Sequence, residues 1–233
     1  MIKNKKSIIL LSGGLDSLTC LAVAKSRNEE CYGLSFSYGQ KHDCELIASQ
    51  KIAKYYNIKH KVINIPDLGL MGGSSLTQDD IKVPSFKENT DNNISIPNTY
   101  VPCRNLIFIS FACAYAEVIG ANKIYIGVNA VDYSGYPDCR SEFINAMQNT
   151  VNIGTKMGDE NNPAILETPL QNLSKEEIIK LGTSLEVDYS MSVSCYNANN
   201  NLEACGKCDS CIHRKNGFIN AGIKDPTLYF NHK

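Results

Sequence analysis

The chain carries almost no net charge: 23 Lys and Arg stand against 24 Asp and Glu, leaving −1 over 233 residues. Proteins that hold nucleic acid usually show a basic face, so this balance argues against a nucleic-acid partner. Long apolar runs are missing too. Behind the basic start Met1-Ile2-Lys3-Asn4-Lys5-Lys6, the run from Ile8 to Leu11 is too short for the core of a secretory signal. No stretch approaches the ~20 apolar residues that cross a bilayer. The expectation is a cytoplasmic protein with no membrane association. Two nucleotide motifs are also absent. There is no G-x-x-x-x-G-K-S/T, which excludes a Walker-type NTPase, and no G-x-G-x-x-G after a strand, which removes support for dinucleotide redox chemistry. No internal repeat and no linker between large domains can be read.

What is present suits a soluble globular protein, with 43% hydrophobic and 20% charged residues. Short β-rich runs alternate with helical periodicity. Strands are expected at 7–11, 31–38, 60–65, 123–128 and 164–167, and helices at 17–27, 43–56, 104–119, 141–151, 174–185 and 211–221. The 104–119 segment is apolar nearly all round and is expected to be buried. Ser174-x-x-Glu177 has the form of a capping box. Five strand–helix alternations without a hairpin signal predict an α/β fold, a doubly wound, mostly five-stranded parallel sheet. The stretch 66–97 breaks the rhythm and reads as a partly ordered flap or dimer arm. The predicted division is a body at 1–190 and a C-terminal metal-binding segment at 191–233.

Leu11-Ser12-Gly13-Gly14-Leu15-Asp16-Ser17-Leu18-Thr19 joins the first strand to the first helix. The first N–H groups of a helix lack internal partners, and its dipole favours an anion there. Two glycines let the backbone approach phosphate oxygens. Asp16 suits Mg²⁺ bridging the carboxylate to phosphate. An ordinary capped turn would explain any bare Gly-Gly pair; the whole string favours phosphate.

Four of the ten cysteines cluster as Cys195-x9-Cys205-x2-Cys208-x2-Cys211. In a reducing compartment such clusters read as metal ligands. Four thiolates suit one tetrahedral, structural Zn²⁺; an iron–sulfur cluster is the rival, weakened because no Cys follows at the next ferredoxin spacing. Lys207 and Arg214 are placed to offset the thiolate charge.

Three polar clusters fall at strand ends or helix starts, where open α/β sheets bind ligands. They hold Tyr38 and Gln40; Arg104 and Asn105; and Asp132, Tyr133, Tyr136, Asp138 and Arg140. Arg104 could grip a carboxylate or phosphate, the aspartates could accept from an amino-pyrimidine edge, and the tyrosines could stack. Each could equally be an ordinary loop residue, and Asp138 could simply pair with Arg140.

Ser12 to Ser17 resembles the SGGxDS signature of the PP-loop ATP pyrophosphatases, whose fold is adenine nucleotide alpha hydrolase-like. The order of further motifs, Tyr38-Gly39-Gln40-Lys41-His42, Val101-Pro102-Cys103-Arg104-Asn105, Asp132-Tyr133-Ser134-Gly135-Tyr136-Pro137-Asp138-Cys139-Arg140, Thr168-Pro169-Leu170, the cysteine cluster and Asp225-Pro226-Thr227, resembles the QueC family of 7-cyano-7-deazaguanine synthases across nearly the whole chain. Cys103 stands where that family usually has glycine, so the helix entry must accept a Cβ; Lys41 stands where arginine is common. The resemblance implies an ATP-dependent ligase that joins 7-carboxy-7-deazaguanine and ammonia into a nitrile through adenylated intermediates, in queuosine biosynthesis. It implies ATP, Mg²⁺ and Zn²⁺, a homodimer, phosphate binding by residues 11–19, and catalytic roles for Asp16, Ser17 and Arg104. The alternative is a PP-loop tRNA-modifying enzyme, a thiouridine or lysidine synthase.

Overall fold

The structure, a computed structural model, describes residues 5–84, 96–131, 135–199 and 201–230. β1 (Lys6–Leu10) leads through the glycine turn into α1 (Leu15–Ser26). β2 (Glu30–Ser37), α2 (Cys44–Tyr55) and β3 (Lys59–Asn64) follow. After the short α3 (Asp67–Leu70) come α4 (Arg104–Ile119) and β4 (Lys123–Tyr125). The chain continues through α5 (Ser141–Gly154), α6 (Lys156–Asp159), β5 (Ile165–Glu167), α7 (Lys175–Ser184) and α8 (Asp209–Ala221). Among the described residues no helix is long and apolar enough to cross a membrane.

All strand pairs are parallel and the sheet order is β3-β2-β1-β4-β5. Alternating side chains go to opposite faces of a strand, and two cores result. Ile8, Leu34 and Ile124 face Ile109, Ala112 and Ala116 of α4 and Ile144 and Met147 of α5. Ile9, Cys31 and Tyr125 face Leu18 and Leu21 of α1, Ile52 of α2, Ile178 of α7 and Phe218 of α8. The sheet is therefore doubly wound. Its order reverses between β1 and β4, and the crevice beyond their carboxyl ends is where such sheets hold ligands.

The expected elements are present with boundaries shifted by up to three residues. β4 is shorter than expected because the chain leaves the β1 ladder after Tyr125, although Ile126 still donates to Glu167 O at 2.9 Å. The capping box is formed: the Ser174 side chain accepts from Glu177 N, and the Glu177 side chain accepts from Ser174 N. One expectation fails. α4 buries only Ile109, Ala112, Cys113 and Ala116 and leaves Leu106, Phe111 and Val118 exposed, Val118 at 80%. One stripe of the helix meets the sheet, and nothing described covers the other side. Of the 66–97 stretch, the described part holds α3 and a chain of turns, and 85–95 lie outside the described residues.

Cys103 shows why a glycine would suit its position. It precedes α4 with φ +57° and ψ +17°, a left-handed conformation. A non-glycine residue held there costs on the order of 1 kcal/mol or more. Cys103→Gly is expected to stabilise the protein by about 1 kcal/mol, raising the thermal midpoint by roughly 2–4 °C in a chain of this size. Calorimetry showing a lower midpoint would remove the strain argument.

Candidate active site

The cleft at the β1–β4 reversal has about 240 Å³ of water-accessible space. Leu11, Ser12, Gly14, Leu15, Asp16 and Ser17 form one side of it. Gly13 has φ +92°, and a Cβ there would sit 2.2 Å from Glu45 O. Only glycine lets the loop fold flat against α2. On the other flank the chain after β4 passes so close that a Cβ on Gly127 would lie 3.1 Å from Ser17 N. The serines brace the turn: Gly13 N donates to Ser17 Oγ at 3.2 Å, and Gly14 N to Ser12 Oγ at 3.3 Å. Asp16 and Ser17 N–H belong to the first turn of α1, whose donors have no acceptor within the helix.

Two residues expected to touch nucleotide turn elsewhere. Leu18 is fully buried in the core, and Thr19 donates to Leu15 O at 2.9 Å and meets Tyr189 Oη at 2.8 Å. One helical turn past the loop, the backbone has rotated their side chains away from the cleft. Gly13 lies behind the loop rather than on its open surface.

Asp16 is already paired. Both of its carboxylate oxygens accept from Lys175 Nζ, at 2.8 and 2.9 Å, from the first residue of α7. Sequence spacing gave no sign of this, since the partners are 159 residues apart. Each carboxylate oxygen has a second lone pair, so the group can still face a cation from the cleft, where it is 27% exposed.

The polar clusters behave unequally. Tyr38, Gln40, Arg104, Asn105 and Tyr136 all line the cleft. Gln40 also closes the end of β2, accepting from Tyr38 N at 2.7 Å. Burial opposes the Arg104 charge, but Tyr38, Tyr136 and Asp138 around it more than compensate and hold it firmly as a cation. Asp138, expected to contact substrate, is not among the residues that line the cleft. It is buried, accepts from Asn105 N at 3.2 Å and so satisfies a free donor at the start of α4; its own carbonyl accepts from Asn105 Nδ2 at 3.0 Å. Arg140 is exposed at the entry to α5, is not among the lining residues, and forms no ion pair with Asp138 among the described residues. Asp132 and Tyr133 lie outside the described residues.

Several lining residues carried no readable signal. Phe108 stacks on Phe36 with centroids 3.9 Å apart and planes 6° apart, making an apolar wall. Glu45, Ser194 and Tyr196 also line the cleft. Burial raises the Glu45 carboxyl to about 7, with the Arg104 charge opposing the rise.

Ser194 connects the cleft to the cysteine cluster. The Sγ atoms of Cys195, Cys205, Cys208 and Cys211 lie within 4.8 Å of one another, all buried, with Cys205 and Cys211 at 3.9 Å. Sulfurs about 2.3 Å from one tetrahedral ion would stand about 3.8 Å apart, so the cluster fits a single ion. An iron–sulfur cube would hold its ligand sulfurs farther apart. Backbone N–H groups of Asn197 and Cys205 point at Cys195 Sγ, and those of Lys207 and Cys208 at Cys205 Sγ, which favours thiolates. Arg214 does not answer their charge as expected. It is 1% exposed, pairs with Asp225 at 3.1 Å, and donates to Ser192 Oγ and Tyr189 O, bracing the segment that enters the cluster.

Comparison with known proteins follows the same lines. The family described as "Queuosine biosynthesis protein QueC" matches residues 6–222. A 7-cyano-7-deazaguanine synthase of Coxiella burnetii is 56% identical over 97% of this chain and 98% of its own length. That of Legionella pneumophila is 55% identical over 97% of both chains, and that of Saccharophagus degradans 53% over 99% and 100%. Among solved structures, a 4-thiouridine synthetase in complex with RNA and ATP superposes with a TM-score of 0.51 at 16% identity, covering 97% of this chain and 47% of that one; the likeness shows the fold. The glycine loop, the Tyr38, Arg104 and Tyr136 segments that meet across its cleft, and relatives more than half identical over nearly their full lengths together show that the chain belongs to the QueC family.

Proposed function

We propose that this protein is an ATP-dependent carbon–nitrogen ligase that converts 7-carboxy-7-deazaguanine and ammonia to 7-cyano-7-deazaguanine, the product named by its relatives, for queuosine synthesis. The observation that carries the reading is one cleft in which the phosphate loop meets Arg104, Tyr38, Gln40, Asn105 and Tyr136. A carboxylate resists attack by ammonia. Binding its oxygen near the α-phosphate of ATP lets it become an acyl-adenylate, while the N–H groups and hydroxyls of Ser12 to Ser17 hold the departing pyrophosphate. Ammonia then displaces AMP and leaves an amide, and a second activation of the amide oxygen permits loss of water as the nitrile. Arg104, kept cationic, is suited to the substrate carboxylate. Phe36, Phe108 and Tyr136 offer surfaces for the heterocycle. Mg²⁺ at Asp16 would neutralise phosphate charge.

The four-sulfur cluster is read as a structural Zn²⁺ site, and 191–233 as a segment packed on the body 1–190, in keeping with Phe218 of α8 in the core beside Ile178 and Ile179. The exposed apolar side of α4 supports a homodimer. Cytoplasmic location follows from the chemistry of free thiols and ATP. The tRNA-modifying alternative rests on fold likeness alone.

Purified protein supplied with ATP, Mg²⁺, ammonium and the carboxylic acid is expected to form a product lighter than the amide by one water. Amide as the sole end product, or no ATP consumption, would contradict the reading.

A further inference from the structure

We propose that Glu45 is the base that removes protons from nitrogen as the amide and then the nitrile form. The inference rests on the function proposed above and adds a residue to which neither the sequence motifs nor the relatives give a role.

Nitrogen must lose protons at two stages. When ammonia adds to the acyl-adenylate, the C–N bond forms and the adduct carries a positive nitrogen. Collapse to the amide breaks the C–O bond to AMP, whose electron pair leaves with the phosphate, and a proton must leave nitrogen. After ATP activates the amide oxygen, the adenylated imidate cation loses one proton. It then loses a second as the N–H pair becomes the third C–N bond and AMP departs with the C–O pair. A base beside the reacting carbon could take each of these protons and release it to water between steps.

Among the described residues, Asp16 and Glu45 are the only carboxyls lining the cleft, and no histidine lines it. Asp16 is held through both oxygens by Lys175. Glu45 makes no side-chain hydrogen bond among the described residues, although its neighbours Ser12, Gly14, Tyr38 and Arg104 share the cleft wall. Its place is fixed. It is the second residue of α2, and its carbonyl packs so closely on Gly13 that no Cβ fits between them. That backbone contact fixes the residue beside the loop that would hold the phosphates, and its side chain lines the same cleft.

The surroundings suit proton transfer. Burial favours the neutral carboxyl and brings it to about 7. Arg104 from α4 opposes that rise without cancelling it, and Asp138 shares the Arg104 charge. Besides Arg104, the titratable groups around Glu45 are Tyr38 at the end of β2, Lys41 and His42 in the turn after it, Cys44 on its own helix, and Cys195 and Tyr196 across a second small pocket; burial shifts Tyr38 and Cys44 upward, which keeps both neutral near pH 7. A base poised near neutrality both accepts and releases protons efficiently.

The test is Glu45→Gln in the full-length, metal-replete enzyme. Acid-dependent pyrophosphate release in a single turnover without ammonia needs no base, and it should stay within threefold of wild type. Nitrile formation should fall about 10²–10⁴-fold, the usual worth of a general base, with the rising limb of the kcat profile near pH 7 lost. Glu45→Asp should restore part of the rate and the limb. Nitrile synthesis by Glu45→Gln within threefold of wild type would sink the role. So would a raised KM for the acid with kcat unchanged, which would make Glu45 a recognition group. A joint fall of pyrophosphate release and nitrile formation would also refute it. A wild-type enzyme that releases no pyrophosphate would instead sink the underlying function.

Discussion

Asp16→Ala is expected to lower nitrile formation by about 10³-fold or more while the protein remains folded. The carboxylate sits in the first turn of α1, where it faces the cleft and can hold a cation against phosphate. It also neutralises Lys175, whose side chain is 10% exposed. Deleting it removes a cation ligand and leaves the ammonium without this carboxylate. Loss of a single preorganised contact to developing charge typically costs 10²–10³ in rate, and two effects here combine. Stability should suffer less. The pair is partly solvated, so a loss of about 1–3 kcal/mol is expected, below the 3–5 kcal/mol of a fully buried pair. Asp16→Asn keeps the shape and should be as inactive as the alanine variant but melt closer to wild type. Steady-state nitrile assays and calorimetric melting on both variants decide the matter. Activity of Asp16→Ala within tenfold of wild type would mean that the carboxylate neither holds metal nor positions Lys175.

The two kinds of information in this site differ in how far they can be read along the chain. The loop was legible because its shape lies in consecutive residues: two glycines, two serines and an acid at a strand-to-helix junction that lines the cleft. The cysteine cluster was legible because metal geometry restricts ligand spacing, and the fold brings the four predicted sulfurs together. The capping box was legible for the same reason, since both bonds close within four residues. What sequence could not show was pairing across the fold. Lys175 sits in an ordinary-looking first helical turn, yet it is the Asp16 partner. Glu45 looks like any acid near a helix start until the sheet order sets it beside Arg104. Nor could sequence show that the Asp138 carboxylate accepts from the backbone of Asn105, 33 residues away. The all-apolar pattern of α4 was a true helix signal but a poor burial signal, because composition cannot distinguish a face covered by the sheet from one left for another surface.

Removing the metal is expected to disable nucleotide binding before it unfolds the sheet. Cys211 Sγ lies 3.7 Å from Ser194 O, and Ser194 Oγ accepts from Leu15 N at 3.2 Å. Val193 N donates to Gly13 O at 3.0 Å. The segment between the sulfurs and the phosphate loop is thus only a few residues long, and it supplies both an acceptor and a donor to that loop. Cys205→Ser should lose the metal, because Cys205 collects backbone N–H groups that favour its thiolate and serine cannot replace it as a soft ligand. Metal binding free energy is folding free energy for residues organised only around the ion. A loss of about 3–5 kcal/mol corresponds to a midpoint roughly 6–20 °C lower for a chain of this length. Once the segment loosens, Leu15 N and Gly13 O lose their partners and the loop its fixed shape. ATP affinity, measured by calorimetry well below the melting transition, should therefore fall at least about tenfold, since each hydrogen bond to the loop contributes on the order of 1 kcal/mol. Chelation of the wild-type protein should reproduce both effects, and adding Zn²⁺ back should reverse them. A chelated protein that still bound ATP with full affinity would show that α2 and the chain after β4 hold the loop without help from the cysteine cluster.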